Sequence, residues 1–127
     1  MSAIYPKAKQ QFLTGAINMT SASISAVLLK DTYVYNASHA SVATDITSAK
    51  YASSAVVLGT VSVSASGVFD AADVLFPAVA SGSTVNAILL FSGDIPIAHI
   101  NSGVGVPFAT SGADVTITWS SGGIFTL

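Results

Sequence analysis

At 127 residues and 12.8 kDa the chain is one domain's worth of sequence, enough to bury about two thirds of its unfolded surface in a single core. Apolar residues make up 51% and charged ones 8%, with no Arg, Glu or Cys, so 19 Ser and 11 Thr with Gly and Ala must build the surface, and disulfides, thiolate metal sites and intrinsic disorder are excluded. Four lysines against six aspartates leave a formal charge of −2, with no basic run longer than Lys7-Ala8-Lys9, which argues against nucleic acid or an anionic membrane as partner.

The opening M-S-A-I-Y-P-K holds no apolar run of about 7–15 residues before a small-residue cleavage site, so no secretory signal is expected. Residues 6–14 read as the one helix, with Pro6 in the first turn, good helix formers inside, and Gly15 where a left-handed cap belongs. Ala8 and Phe12 share one face of it, and Lys7 and Lys9 lie near its N-terminus, where the helix dipole disfavours cations. We expect residues 1–18 to form an arm or edge helix beside a β-body of residues 19–127. Tyr5, Lys7, Lys9 and Phe12 are its partner-binding side chains, offering apolar and ionic contact to an acidic protein lattice.

From Ser23 the hydrophobic period becomes two, predicting strands over 23–29 and 32–35. A small-residue loop containing His39 and Asp45 follows, then a long β-stretch over 55–64, broken by a turn at Ser66-Gly67. Residues 68–69 and 74–76 are short strands on either side of Asp70-Ala71-Ala72-Asp73, whose aspartates read as turn caps, and Pro77 ends the second. The nearly continuous apolar run 85–91 predicts a strand buried on both faces. Ser92-Gly93-Asp94 returns it as a hairpin through 95–100, and the same interruption, with Pro96, removes the one stretch long enough to consider as a membrane span. A glycine-spaced loop at 101–107 precedes two final strands, 114–119 and 123–127. The expected fold is all-β, an antiparallel β-sandwich or jelly roll in a single domain of residues 1–127 with a short N-terminal helix.

Chemistry-bearing motifs are sparse. His39 and His99 are the only side chains that ordinarily titrate near neutrality; His99, in an apolar strand, reads as a packed residue. There is no G-x-S-x-G elbow, and with this many serines a Ser/His/Asp coincidence carries no information. Gly103-Val104-Gly105 lacks the remaining positions of a phosphate loop, and Asp70 and Asp73 have the wrong spacing for a calcium loop. Tyr33, Tyr35 and Trp119 offer either a carbohydrate-stacking surface or core contacts, with core the better expectation in alternating strands. No catalytic residue, cofactor or metal is expected.

In order along the chain, Y-P-K-A-K-Q-Q-F-L-T-G-A-I-N (5–18), S-I-S-A-V-L-L-K-D-T-Y-V-Y-N-A-S-H (23–39), G-V-F-D-A-A-D-V-L-F (67–76) and A-D-V-T-I-T-W (113–119) resemble small virion structural proteins of tailed bacteriophages. The resemblance implies a capsid decoration, or cement, protein of jelly-roll type that is made in the bacterial cytoplasm. It would lie on the capsid exterior, associate with itself as a dimer or trimer, and bind the major capsid protein. A tail, baseplate or fibre-associated protein is the alternative. Charge poverty and a mean hydropathy of +0.69 without a membrane span point the same way, because such a surface is best covered by other chains.

Overall fold

The structure, a computed structural model, describes residues 3–127. Strand β1 (Ala3–Ile4) runs into helix α1 (Pro6–Leu13), which begins on Pro6 as expected and stops at Thr14, where Gly15 takes a left-handed φ of 75°. There follow β2 (Ser25–Lys30), a single-turn α2 (Val42–Asp45), a 3-10 turn (Ser48–Lys50), β3 (Val56–Val57), β4 (Ser62–Val63), β5 (Val68–Asp70) and β6 (Val74–Phe76). The second half supplies β7 (Thr84–Ser92), β8 (Ile95–Ile100), β9 (Phe108–Ala109), β10 (Val115–Ile117) and β11 (Phe125–Thr126). All pairings among the described residues are antiparallel. The main sheet runs β1-β8-β7-β2-β3, with β9 on the start of β7, while β10-β6 and β11-β5-β4 form two smaller sheets.

The side-chain period of two divides the main sheet into two apolar faces. Ala26, Leu28, Ile88, Leu90, Ala98 and Ile100 stand opposite one another across β2, β7 and β8 and pack with Phe69, Phe76, Ile117 and Trp119 from the smaller sheets and the segments beside them. Their neighbours Val27, Leu29, Ala87 and Leu89 point the other way, into a second cluster with Tyr5, Tyr33 and Ile46. Burial on both faces explains why 87–91 reads as an apolar run without polar interruption. The hairpin at Ser92-Gly93-Asp94 forms as expected, with Gly93 at φ 56°.

Three expectations are corrected. Residues 32–35 are not a strand: the ladder ends where Asp31 N–H donates to Thr84 O, and the chain turns as Tyr33 N–H donates to Lys30 O. Their alternation reflects Tyr33 packing inward and Val34 outward, not strand pairing. The stretch 55–64 yields only β3 and β4, two residues each and in different sheets. Finally, residues 3–18 are not an arm beside the body, because Tyr5 and Ala8 are fully buried, α1 packs on β8, and Tyr5 N–H donates to Ile97 O.

Candidate functional site

An open groove of about 550 Å³ lies where the end of α1 and the loop after it meet the three-stranded sheet. Phe12, Met19, Val63, Phe69, Phe125 and Leu127 supply its apolar wall. Phe69 and Phe125, paired across β5 and β11 with ring centroids 5.3 Å apart, form the floor. Asn18 shapes the rim, its side-chain oxygen accepting from Thr20 N–H (3.0 Å) and Thr20 Oγ1–H (2.7 Å), which closes the 18–20 turn. Two of its apolar side chains stand largely in water, Leu127 at 60% exposure and Val63 at 45%, and Leu13 at the end of α1 is 89% exposed.

Of the four expected partner-binding side chains, only Phe12 belongs to this wall. Lys7 and Lys9 lie outside it, Lys7 half-exposed with Nζ donating to Gln10 Oε1 (3.2 Å) and Lys9 exposed. Tyr5 is the correction: at 0% exposure it faces inward and has no surface to offer a partner. Met19, Val63 and Leu127 were not singled out from the sequence, since the fold alone brings these three distant stretches together.

Five of the six aspartates are occupied in holding backbone. Asp45 accepts from Ala40 and Ser41 N–H, Asp70 from Ala71, Asp73 from Trp119, Asp94 from Ala43 and Asp114 from Ala78, all at 2.8–3.1 Å. These bonds hold Asp45 below the usual carboxylate range; for Asp94 the Ser41 hydroxyl is the larger cause and the Ala43 N–H the next. Asp70 thus holds its own turn as expected, while Asp73 departs from the expected turn cap by holding Trp119, 46 positions on. No trio of metal-ligating side chains occurs among the described residues, and no helix there is long and apolar enough to cross a membrane.

On the other face of the main sheet both histidines and three of the four tyrosines converge. Tyr5 Oη lies 2.7 Å from Tyr33 Oη, which lies 2.7 Å from His39 Nδ1. The His99 ring sits against Tyr33 and Tyr35 at 5.8 and 5.5 Å, and Tyr35 against Tyr5 at 4.9 Å. Burial pushes the Tyr5 and Tyr33 hydroxyls up, so both remain protonated donors, and burial pushes His99 down. With Tyr33 inside, and Trp119 buried with Nε1–H donating to Ala72 O (3.0 Å), no stacking platform for a sugar is formed by these rings. Tyr5→Phe removes one buried hydroxyl pair and is expected to cost about 1 kcal/mol, a fall of about 4 °C in thermal midpoint by calorimetry.

Compared with known protein families, curated proteins and solved structures, the chain matches none.

Proposed function

We propose that the chain is a virion structural protein of a tailed bacteriophage, a decoration protein that binds the major capsid protein lattice from outside and stabilises the head by contact alone. The observation that carries this reading is the apolar groove at the end of α1, lined in part by exposed Val63 and Leu127, on a chain whose aspartates mostly hold its own backbone. A surface with so little free charge and so much exposed Leu and Val is stabilised by covering it with another protein. The occupant we assign to the groove is an apolar segment of the capsid subunit. The sequence resemblance points to the same role, and association of two or three copies across a local symmetry axis would let each copy hold a different subunit, so that weak contacts add by multivalency. In this reading the main sheet and the two smaller sheets across its core form a jelly-roll-type sandwich whose smaller sheets are built from strands of 2–3 residues.

Copy number per purified virion, measured by quantitative mass spectrometry against the major capsid protein, tests it. The expected result is one copy per capsid subunit or a simple fraction of that, which for a lattice means hundreds. A count of about 3–24 moves the protein to the tail or baseplate, where ring and fibre symmetries set small numbers, and overturns the decoration role. Absence from the particle overturns the virion reading altogether.

A further inference from the structure

We propose that residues 31–47 form a cover over the second face of the main sheet that acid opens, with His39 on the cover and His99 on the sheet as its latch. This inference does not depend on the capsid reading. The cover leaves β2 at the Lys30 turn, lays Tyr33 and Ile46 over Val27, Leu29 and Leu89, and is fixed at its far end by the Gly93-Asp94 turn. There Val42 N–H donates to Asp94 O (2.9 Å), Ala43 N–H to Asp94 Oδ1 (2.8 Å) and Ser41 Oγ–H to Asp94 Oδ2 (2.6 Å).

The hydrogen-bond chain through the cover has one arrangement that satisfies every member. Tyr5 O–H donates to Tyr33 Oη, and Tyr33 O–H donates to an unprotonated Nδ1 of His39. Protonated His39 carries a hydrogen on Nδ1 and donates it to Tyr33 Oη, so the Tyr5 and Tyr33 hydroxyls are left with only each other. One of the two can donate to its partner, and the hydrogen of the other has no acceptor among the described residues. Protonation of His39 therefore works against the closed cover even though the ring itself is half-exposed.

His99 adds a second proton on the sheet side. It is 8% exposed beneath Tyr33 and Tyr35 and stands opposite Leu89 on β7. Loss of water holds its imidazole below the ordinary histidine value of 6.5. The tyrosine ring faces attract a cation weakly and do not reverse this. Histidine in an opened cover titrates normally, so the closed form is at full stability above about pH 6.5 and loses stability as pH falls below that value. The other groups facing the pair are Tyr35, Tyr5 and Tyr33, the last two with hydroxyls that burial pushes up, and Asp45, whose carboxyl is held down first by the Ala40 and Ser41 N–H groups and in small part by His39. Asp45 and Asp94 hold their protons off to well below the histidine range, so they keep gripping the cover while the histidines charge.

NMR-detected amide hydrogen exchange on the full chain, corrected for intrinsic rates at each pH, tests this from pH 7.5 to 3.5. Protection of Val42, Ala43 and Ile46 is expected to fall between pH 7 and 5, approaching tenfold per pH unit for each proton taken up on opening, while Leu89 and Leu90 keep theirs. In His39→Asn/His99→Phe, which keeps an acceptor at 39 and a ring at 99, the cover amides should lose this dependence; if that variant does not fold, His39→Asn alone should make it shallower. Cover and sheet opening together, opening only below pH 4 where the aspartates protonate, no opening at all, or a folded double variant that opens like the wild type would each overturn the proposal.

Discussion

Gly123→Ala is expected to destabilise the chain more than any other single-atom-scale change in it. Gly123 has φ 103°, a conformation side-chain-bearing residues rarely adopt, and holding alanine there costs about 1–3 kcal/mol. A Cβ at this position also runs into Val68 Cγ1 and comes within 3.2 Å of Phe69 O. Phe69 O is fixed where it accepts from Ile124 N–H at 2.8 Å, and the Val68 backbone by its pairing with Thr126. Relieving the overlap means turning the Val68 side chain out of its rotamer or shifting β11 off β5, a further cost of about 1–3 kcal/mol. Gly82 provides the control: it has a similar φ of 97° but nothing within 4 Å of an added Cβ, so Gly82→Ala should show the backbone cost alone. Urea unfolding of both variants separates the terms. Equal losses would mean that the β5–β11 contact is softer than its geometry implies.

That glycine marks the limit of what the sequence discloses. Ser120-Ser121-Gly122-Gly123 reads as a turn from local composition, but the reason for a glycine at 123 is Val68, fifty-five positions away. Features set by neighbouring residues were legible: α1 between Pro6 and Gly15, the Ser92-Gly93-Asp94 hairpin, the apolar run of β7, and Asp70, whose carboxylate holds the N–H of the residue after it. Thr32-Tyr33-Val34-Tyr35 misled because an inward–outward alternation occurs wherever extended chain lies on a core, whether or not a ladder continues. Helix α2 was missed because a single turn capped by Ser41 and tied to Asp94 owes its existence to a turn fifty residues on.

The same distinction applies to the candidate site. Phe12 carried a signal, as the apolar partner of Ala8 on a short helix, and it lines the groove. Tyr5 looked equally suited to a partner, yet Tyr33, 28 residues later, claims its hydroxyl. The tyrosine–histidine cluster had no sequence signature, since its members come from the entry to α1, the segment after β2, and β8. Val63, Met19 and Leu127 are unremarkable singly and form a wall only when the three-stranded sheet sets β4 and the chain end beside α1.

The second large effect concerns binding rather than folding. Leu127→Asp/Val63→Asp is expected to leave the fold nearly intact and to abolish attachment to the capsid lattice. Leu127 is 60% exposed beside the groove and Val63 45% exposed on the edge strand β4, and substitutions at such positions typically move stability by less than about 0.5 kcal/mol each. Across a covered interface the balance reverses, because each aspartate buries a charge in an apolar groove with no cation in its wall. Losing one anchor of about 2 kcal/mol weakens a single site roughly 30-fold, and in a dimer or trimer attached at each subunit the loss is compounded. Cosedimentation with capsids lacking the protein, beside a calorimetric midpoint, reads both quantities at once. A Lys7→Ala/Lys9→Ala variant discriminates the two contact modes expected of the first segment: if attachment depends on an acidic lattice, it falls with the lysines and with rising salt, and if it depends on the groove, it survives both. Unchanged sedimentation of the aspartate variant would show that the groove is not the contact, and lattice binding would then have to use another face of the chain.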